Sequence, residues 1–102
     1  VKTEHGPLAS IPYTVELNDI PMMIVQHHKA VEFYDRCMDN FERLYQEGEH
    51  NARVMAIAVH PYISGTPFRI KYFEKVLDEI SKHDDVALWT GGQVLDWYKS
   101  VT

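Results

Sequence analysis

Five residues in this sequence have the types and the places to do chemistry: Glu16, Asn18, Asp19, His60 and Arg69. A histidine titrates close enough to neutrality to give or take a proton, and a carboxylate beside it fixes the imidazole tautomer and raises its basicity. His60 ends the run Val54-Met-Ala-Ile-Ala-Val59, which has no polar side chain. Such a run reads as a strand covered on both faces, the kind found in parallel sheets, and the C-terminal ends of parallel strands are where ligands and reacting groups gather. Glu16, Asn18 and Asp19 follow an earlier candidate strand, and Thr90 follows a later one, so parallel connectivity would place all of them on one rim with His60. Arg69 is in the first turn of the helix after His60, within reach of an anionic or carbonyl group. Four of these also have a plainer reading: His60 as a hydrogen-bonded structural residue, Asn18 and Asp19 as turn formers, Arg69 as a surface cation.

The elements that must position them alternate. Leu8-Ala-Ser-Ile-Pro-Tyr-Thr-Val15 is compatible with a short strand, confined to an edge or a strand end by Pro7 and Pro12. Ile20–Val25 is an apolar loop or extended piece that must pack on something. From Lys29 to Glu47 apolar residues recur at three- and four-residue steps, with Gly48 as the stop. Thr66-Pro67 reads as a helix N-cap and first position, and Ile70, Phe73, Val76 and Ile80 mark one stripe to about Lys82. Val86–Trp89 is a third apolar strand. Thr90 and Gln93 have capping-box spacing for a last helix through Tyr98.

The expected fold is therefore α/β over residues 1–102 as one segment, βαβαβα with parallel strands and right-handed crossovers. Three strands cannot close a barrel. If this is part of one, both sheet edges need covering, by further sequence or by a second copy of the chain.

Composition excludes several classes of function. Apolar residues make up 45%, charged residues 25%, and the formal charge is -5 with scattered lysines and arginines, so neither nucleic acid nor an anionic membrane surface is an expected partner. No run approaches the roughly 20 apolar residues of a membrane helix, and Val1 to His5 opens without the apolar core of a signal peptide. The single cysteine, Cys37, cannot form an internal disulfide and leans toward a reducing cytoplasm. No metal-ligand pattern is present: there is no His-x-x-x-His and no Cys-x-x-Cys. The adjacent His27-His28 reads as a solvated helix entry, because neighbours on a helix do not face each other. His5, His50 and His83 fall in loops.

Three stretches, in this order and spacing, resemble a known family: Ile11-Pro-Tyr-Thr-Val-Glu-Leu-Asn-Asp19, Phe41-Glu-Arg-Leu-Tyr-Gln-Glu-Gly48 and His60-Pro-Tyr-Ile-Ser-Gly-Thr-Pro-Phe-Arg69. They are similar to the C-terminal part of polysaccharide deacetylase family proteins, especially the allantoinase-like branch. The resemblance implies half of a distorted (β/α) barrel and an enzyme that hydrolyses amide C–N bonds in N-acetyl sugars or ureides. It implies His60 as general acid or substrate contact, Glu16, Asn18 and Asp19 along the substrate groove, and Arg69 as a substrate-orienting residue. Family members that use a divalent metal take an aspartate and a His-x-x-x-His pair from the N-terminal half, which also holds the catalytic base. None of these is in this sequence, so the expectation is a chain with no cofactor of its own that is inactive without that half. A second class fits the same residues: a non-catalytic half-barrel acting as a homo-oligomeric or protein-binding module.

Overall fold

In the computed structural model, which describes residues 1–102, three helices dominate. Helix α1 spans Ala30–Glu47 and α2 spans Ile70–Ser81. These two pack together, because each carries a single apolar stripe: Phe33, Cys37 and Phe41 on α1 meet the core that Val76 and Ile80 of α2 share. The start of α1 is held by Glu32, whose Oε2 accepts from the Lys29 peptide N–H at 2.7 Å and lies 3.0 Å from His28 Nδ1. A carboxylate there also suits the positive end of the helix dipole. At the other end Gly48 leaves the helix at φ -64, so the helix stops without the left-handed turn a glycine permits.

Helix α3, Gly91–Val101, starts as its spacing predicts. The Thr90 Oγ1 accepts from Gln93 N at 3.3 Å, and Gln93 Oε1 accepts from Thr90 N at 2.8 Å. It buries no residue. Helix α2 differs from expectation at its start. Thr66 does not cap, because its hydroxyl donates to the Ile63 carbonyl at 2.8 Å, and the helix proper begins at Ile70.

The remaining segments depart further. The N-terminal residues form a short antiparallel hairpin of β1, Lys2–Thr3, and β2, Gly6–Pro7. Leu8–Val15 and Val86–Trp89 enter no ladder. Pro12 removes a donor from the first of these, and the only backbone bond of the second is local, from the Val86 N–H to the His83 carbonyl at 3.3 Å. Ile20–Val25 is one π-helical turn that buries Met22 and Met23. Asn18 leads into it, its Oδ1 accepting from the Ile20 N–H and its carbonyl from Met22 N, and the wide turn closes where the Gln26 N–H donates to the Pro21 carbonyl at 3.0 Å.

Apart from the hairpin, sheet pairing is one parallel bridge, between Asn18, three residues past the first expected strand, and Ala58 of the second. Ala58 N–H donates to the Leu17 carbonyl at 2.8 Å, and Asp19 N–H donates to the Ala58 carbonyl at 3.2 Å. Around this bridge lies a small core, with only 11 of 102 residues buried. The Cα radius of gyration is 15.5 Å, against about 13 Å for a compact chain of 100 residues. The exposed area of 7696 Å² likewise exceeds the roughly 5,900 Å² of a folded monomer of this mass. The excess is apolar in part: Met55, Ile57, Val86, Trp89, Val94 and Trp97 line an open groove of about 810 Å³. No helix is long and apolar enough to cross a membrane.

Candidate functional site

The parallel bridge positions the one buried carboxylate of the chain. The bridge at Asn18 and Ala58 brings Asp19 alongside residues 59 and 60, and Asp19 itself turns out of the strand direction at φ -64 and ψ -32. Asp19 is fully buried. Its Oδ2 accepts from the His60 peptide N–H at 2.7 Å and from Ser64 Oγ at 2.8 Å, and its Oδ1 lies 2.7 Å from His60 Nδ1. An ionised carboxylate can only accept, so Nδ1 carries the proton and Nε2 is the nitrogen left for another group.

Burial pushes the Asp19 carboxyl up. The hydrogen bonds from the His60 side chain, the His60 backbone and Ser64, together with the nearby imidazole charge, more than offset this and hold it below the usual carboxylate range. Asp19 is therefore a fixed negative charge at neutral pH. The His60 side chain is 36% exposed, so the pair is a buried anion holding a partly open imidazole. Beside the imidazole, Tyr13, Ile57, Ala58 and Val59 line a shallow opening, and the Tyr62 ring stands edge-on at 5.6 Å between centroids.

The other expected residues are placed differently. Asp19, expected along a substrate groove, is instead sealed beneath His60 with no exposed atom to offer, because both oxygens are taken from within the chain. Asn18 uses its side-chain oxygen to turn the chain into the π-helical segment. The Glu16 side chain is exposed and makes no hydrogen bond or ion pair, while its carbonyl accepts from Arg36 Nη1 at 3.2 Å. Arg69 stacks over the Phe68 ring at 4.5 Å and reaches the Ile63 carbonyl at 3.4 Å, which ties it to the loop that carries Ser64. Thr90 caps α3.

Ser64 is the residue that spacing did not reveal. It lies four residues after His60, and the turn returns its N–H to the His60 carbonyl at 3.0 Å. The Ser-Gly pair before Thr66-Pro67 was the available signal, since a tight turn after His60 must bring a hydroxyl back toward it. Both Asp19 oxygens are committed, and no three His, Cys, Asp or Glu side chains cluster to hold a metal ion. His28 pairs with Glu32, and His27 sits at a left-handed backbone position of φ 57.

Two curated relatives match most of the chain. It is 30% identical over 89 residues to a Schizosaccharomyces pombe protein assigned by name to the polysaccharide deacetylases, covering 85% of this chain and 28% of that protein. It is 26% identical over 100 residues to a Helicobacter pylori protein named peptidoglycan deacetylase, covering 87% of this chain and 32% of that one. The chain thus spans under a third of the length of the curated relatives it matches. No family model matches the chain, and no solved structure matches it. The two likenesses support a relationship to deacetylases that act on polysaccharide or peptidoglycan.

Proposed function

We propose that this chain supplies one wall of the active site of a deacetylase-like hydrolase that cleaves amide C–N bonds, in an N-acetylated sugar or a ureide. The observation that carries the reading is the Asp19–His60 pair. With Nδ1 held at 2.7 Å from a buried carboxylate, Nε2 of the protonated ring serves as general acid to the departing nitrogen, and the fixed negative charge stabilises the imidazolium that gives up the Nε2 proton. Glu16, Asn18 and Arg69 are proposed to contact substrate along the same rim once its remaining walls are in place. The activated water, its base and any divalent metal are proposed to belong to polypeptide outside this chain, so the chain alone is inactive.

The same proposal extends to the fold. The segments Leu8–Val15, Val54–Val59 and Val86–Trp89 are the parallel strands of a βαβαβα half-barrel, related to the C-terminal half of a distorted (β/α) barrel, whose ladders form when a neighbouring strand is supplied. The partner is an N-terminal half or a second copy of the chain. An exposed area about 1,800 Å² above that expected of a monomer, apolar in part, supports such a partner. The test is to combine the chain with a polypeptide carrying the aspartate and His-x-x-x-His motifs and to follow acetate release or ring opening. Activity is expected only from the combination, and His60→Gln is expected to lower it by about 100-fold or more. Turnover by the chain alone, or indifference to His60→Gln, overturns the reading.

The excess surface favours a second reading, a non-catalytic homo-oligomeric module. Size-exclusion chromatography with light scattering decides it: a monomer that persists at high concentration removes the case for self-association.

A further inference from the structure

We infer that Ser64 is a positioning residue for His60: its hydroxyl locks the Asp19 carboxylate in the orientation that keeps the imidazole proton on Nδ1. The inference deepens the proposed role of His60 and rests on that role only for its effect on turnover.

The two oxygens of Asp19 have different work. Oδ1 meets only the imidazole, whereas Oδ2 takes both the His60 peptide N–H at 2.7 Å and Ser64 Oγ at 2.8 Å. The two donors on Oδ2 approach from different points of one loop and so set the plane of the carboxylate. With Ser64 lost, the carboxylate is left with its two bonds to His60, one on each oxygen, and loses the one anchor that does not belong to His60 itself. Asp19 is 0% exposed and Ser64 3%, so bulk water is not at hand to replace the hydroxyl. The Ser64 bond also helps to keep the buried carboxylate ionised against the cost of its burial. A protonated Asp19 would lose one of its acceptor sites and its hold on Nδ1–H.

The loop is built to deliver this hydroxyl. Ile63 and Ser64 both return their N–H groups to the His60 carbonyl, at 2.9 and 3.0 Å. Gly65 then lets the chain turn so closely that a Cβ there would fall 2.4 Å from the Pro61 carbonyl oxygen. Nothing in the hydrophobic core needs a hydroxyl at position 64. Its one polar partner is Asp19.

The test is the imidazole tautomer, read by long-range proton–nitrogen correlation on the histidine-labelled full chain. In the unaltered protein His60 is expected as the Nδ1–H form. In Ser64→Ala the Nε2–H form is expected to rise about 10-fold in population, and the Asp19 carboxyl, followed by its carbon shift, to titrate at higher pH. Ser64→Cys, with a thiol that donates weakly, is expected between the two, and it decides the matter if Ser64→Ala does not fold. In the assembled hydrolase Ser64→Ala is expected to lower kcat about 10-fold, as loss of an outer hydrogen-bond partner does elsewhere, with KM unchanged. An unchanged tautomer and an unchanged Asp19 titration, with the amide shifts of Phe33 and Val76 intact, overturn the role of Ser64 and leave the hydrolase reading standing. If the tautomer responds while kcat ignores both Ser64→Ala and His60→Gln, the positioning role holds and the hydrolase reading falls.

Discussion

Ala58 donates its peptide N–H to the Leu17 carbonyl at 2.8 Å, and two residues further along each segment the His60 peptide N–H reaches the Asp19 carboxylate at 2.7 Å. The second bond continues the line of the first, with a side-chain oxygen standing where a sheet would place the next carbonyl. The end of a parallel pairing is thus converted into a charge-assisted bond. His60 and Asp19 are 41 residues apart in sequence, and this one bridge sets their register.

Replacing Asp19 by Asn keeps the volume but turns one accepting oxygen into a donor, which must either face the two donors at the Oδ2 position or force the imidazole to give up its Nδ1 proton. The expected cost is about 2 kcal/mol of stability, the scale for hydrogen bonds to a buried charged group, measured as a lower urea midpoint. Its pH dependence has a definite sign. A carboxyl whose folded titration lies below its unfolded one stabilises the protein above the ordinary carboxylate range, near pH 4, and loses that contribution as pH falls through the folded value. The gap between the wild-type and Asp19→Asn midpoints should therefore be full at pH 6 to 7 and narrow below about pH 4. A gap that widens in acid would contradict the assignment.

Gly65→Ala places a methyl group 2.4 Å from the Pro61 carbonyl oxygen, so the loop must move. A destabilisation of 1–3 kcal/mol is expected, on the order of the cost of forcing atoms into a closely packed site, and the His60 tautomer should become mixed because Ser64 moves with the loop. Thermal unfolding and the proton–nitrogen spectrum read the two effects separately.

Cys37 is fully buried on α1, and burial pushes its thiol up to about 12. The thiolate is the reactive form, so the native chain should resist alkylation at pH 8 and react only as fast as it opens. Reaction with an aromatic disulfide reagent at several urea concentrations checks this. Fast reaction in the absence of urea would mean that α1 and α2 separate easily.

The stability of the chain should be concentrated in the α1–α2 contact. Phe33 is 1% exposed there, and Phe33→Ala is expected to cost about 3–5 kcal/mol, enough to unfold a chain with so small a core. Tyr98 on α3 is 58% exposed, and Tyr98→Ala is expected to change stability by no more than about 0.5 kcal/mol in the isolated chain. Circular dichroism melts of the two variants give the contrast. A large loss from Tyr98→Ala would show that α3 docks more firmly than its exposure indicates.

The helices were legible from the order of residues alone, because their causes are local: the apolar repeat from Ala30 to Leu44, the stripe from Ile70 to Ile80, and the Thr90–Gln93 box each act within one or two turns. The meeting of His60 with Asp19 could be expected in outline, since the ends of parallel strands share a rim. What only the folded chain decided was how that meeting is made. The burial of Asp19, the turn that folds Ser64 back onto it and the π-helical turn that takes up Ile20–Val25 all depend on contacts between segments far apart in sequence. Strand pairing is non-local for the same reason: an apolar run such as Val54–Val59 specifies a side-chain pattern, but its backbone groups find partners only where another segment is brought alongside.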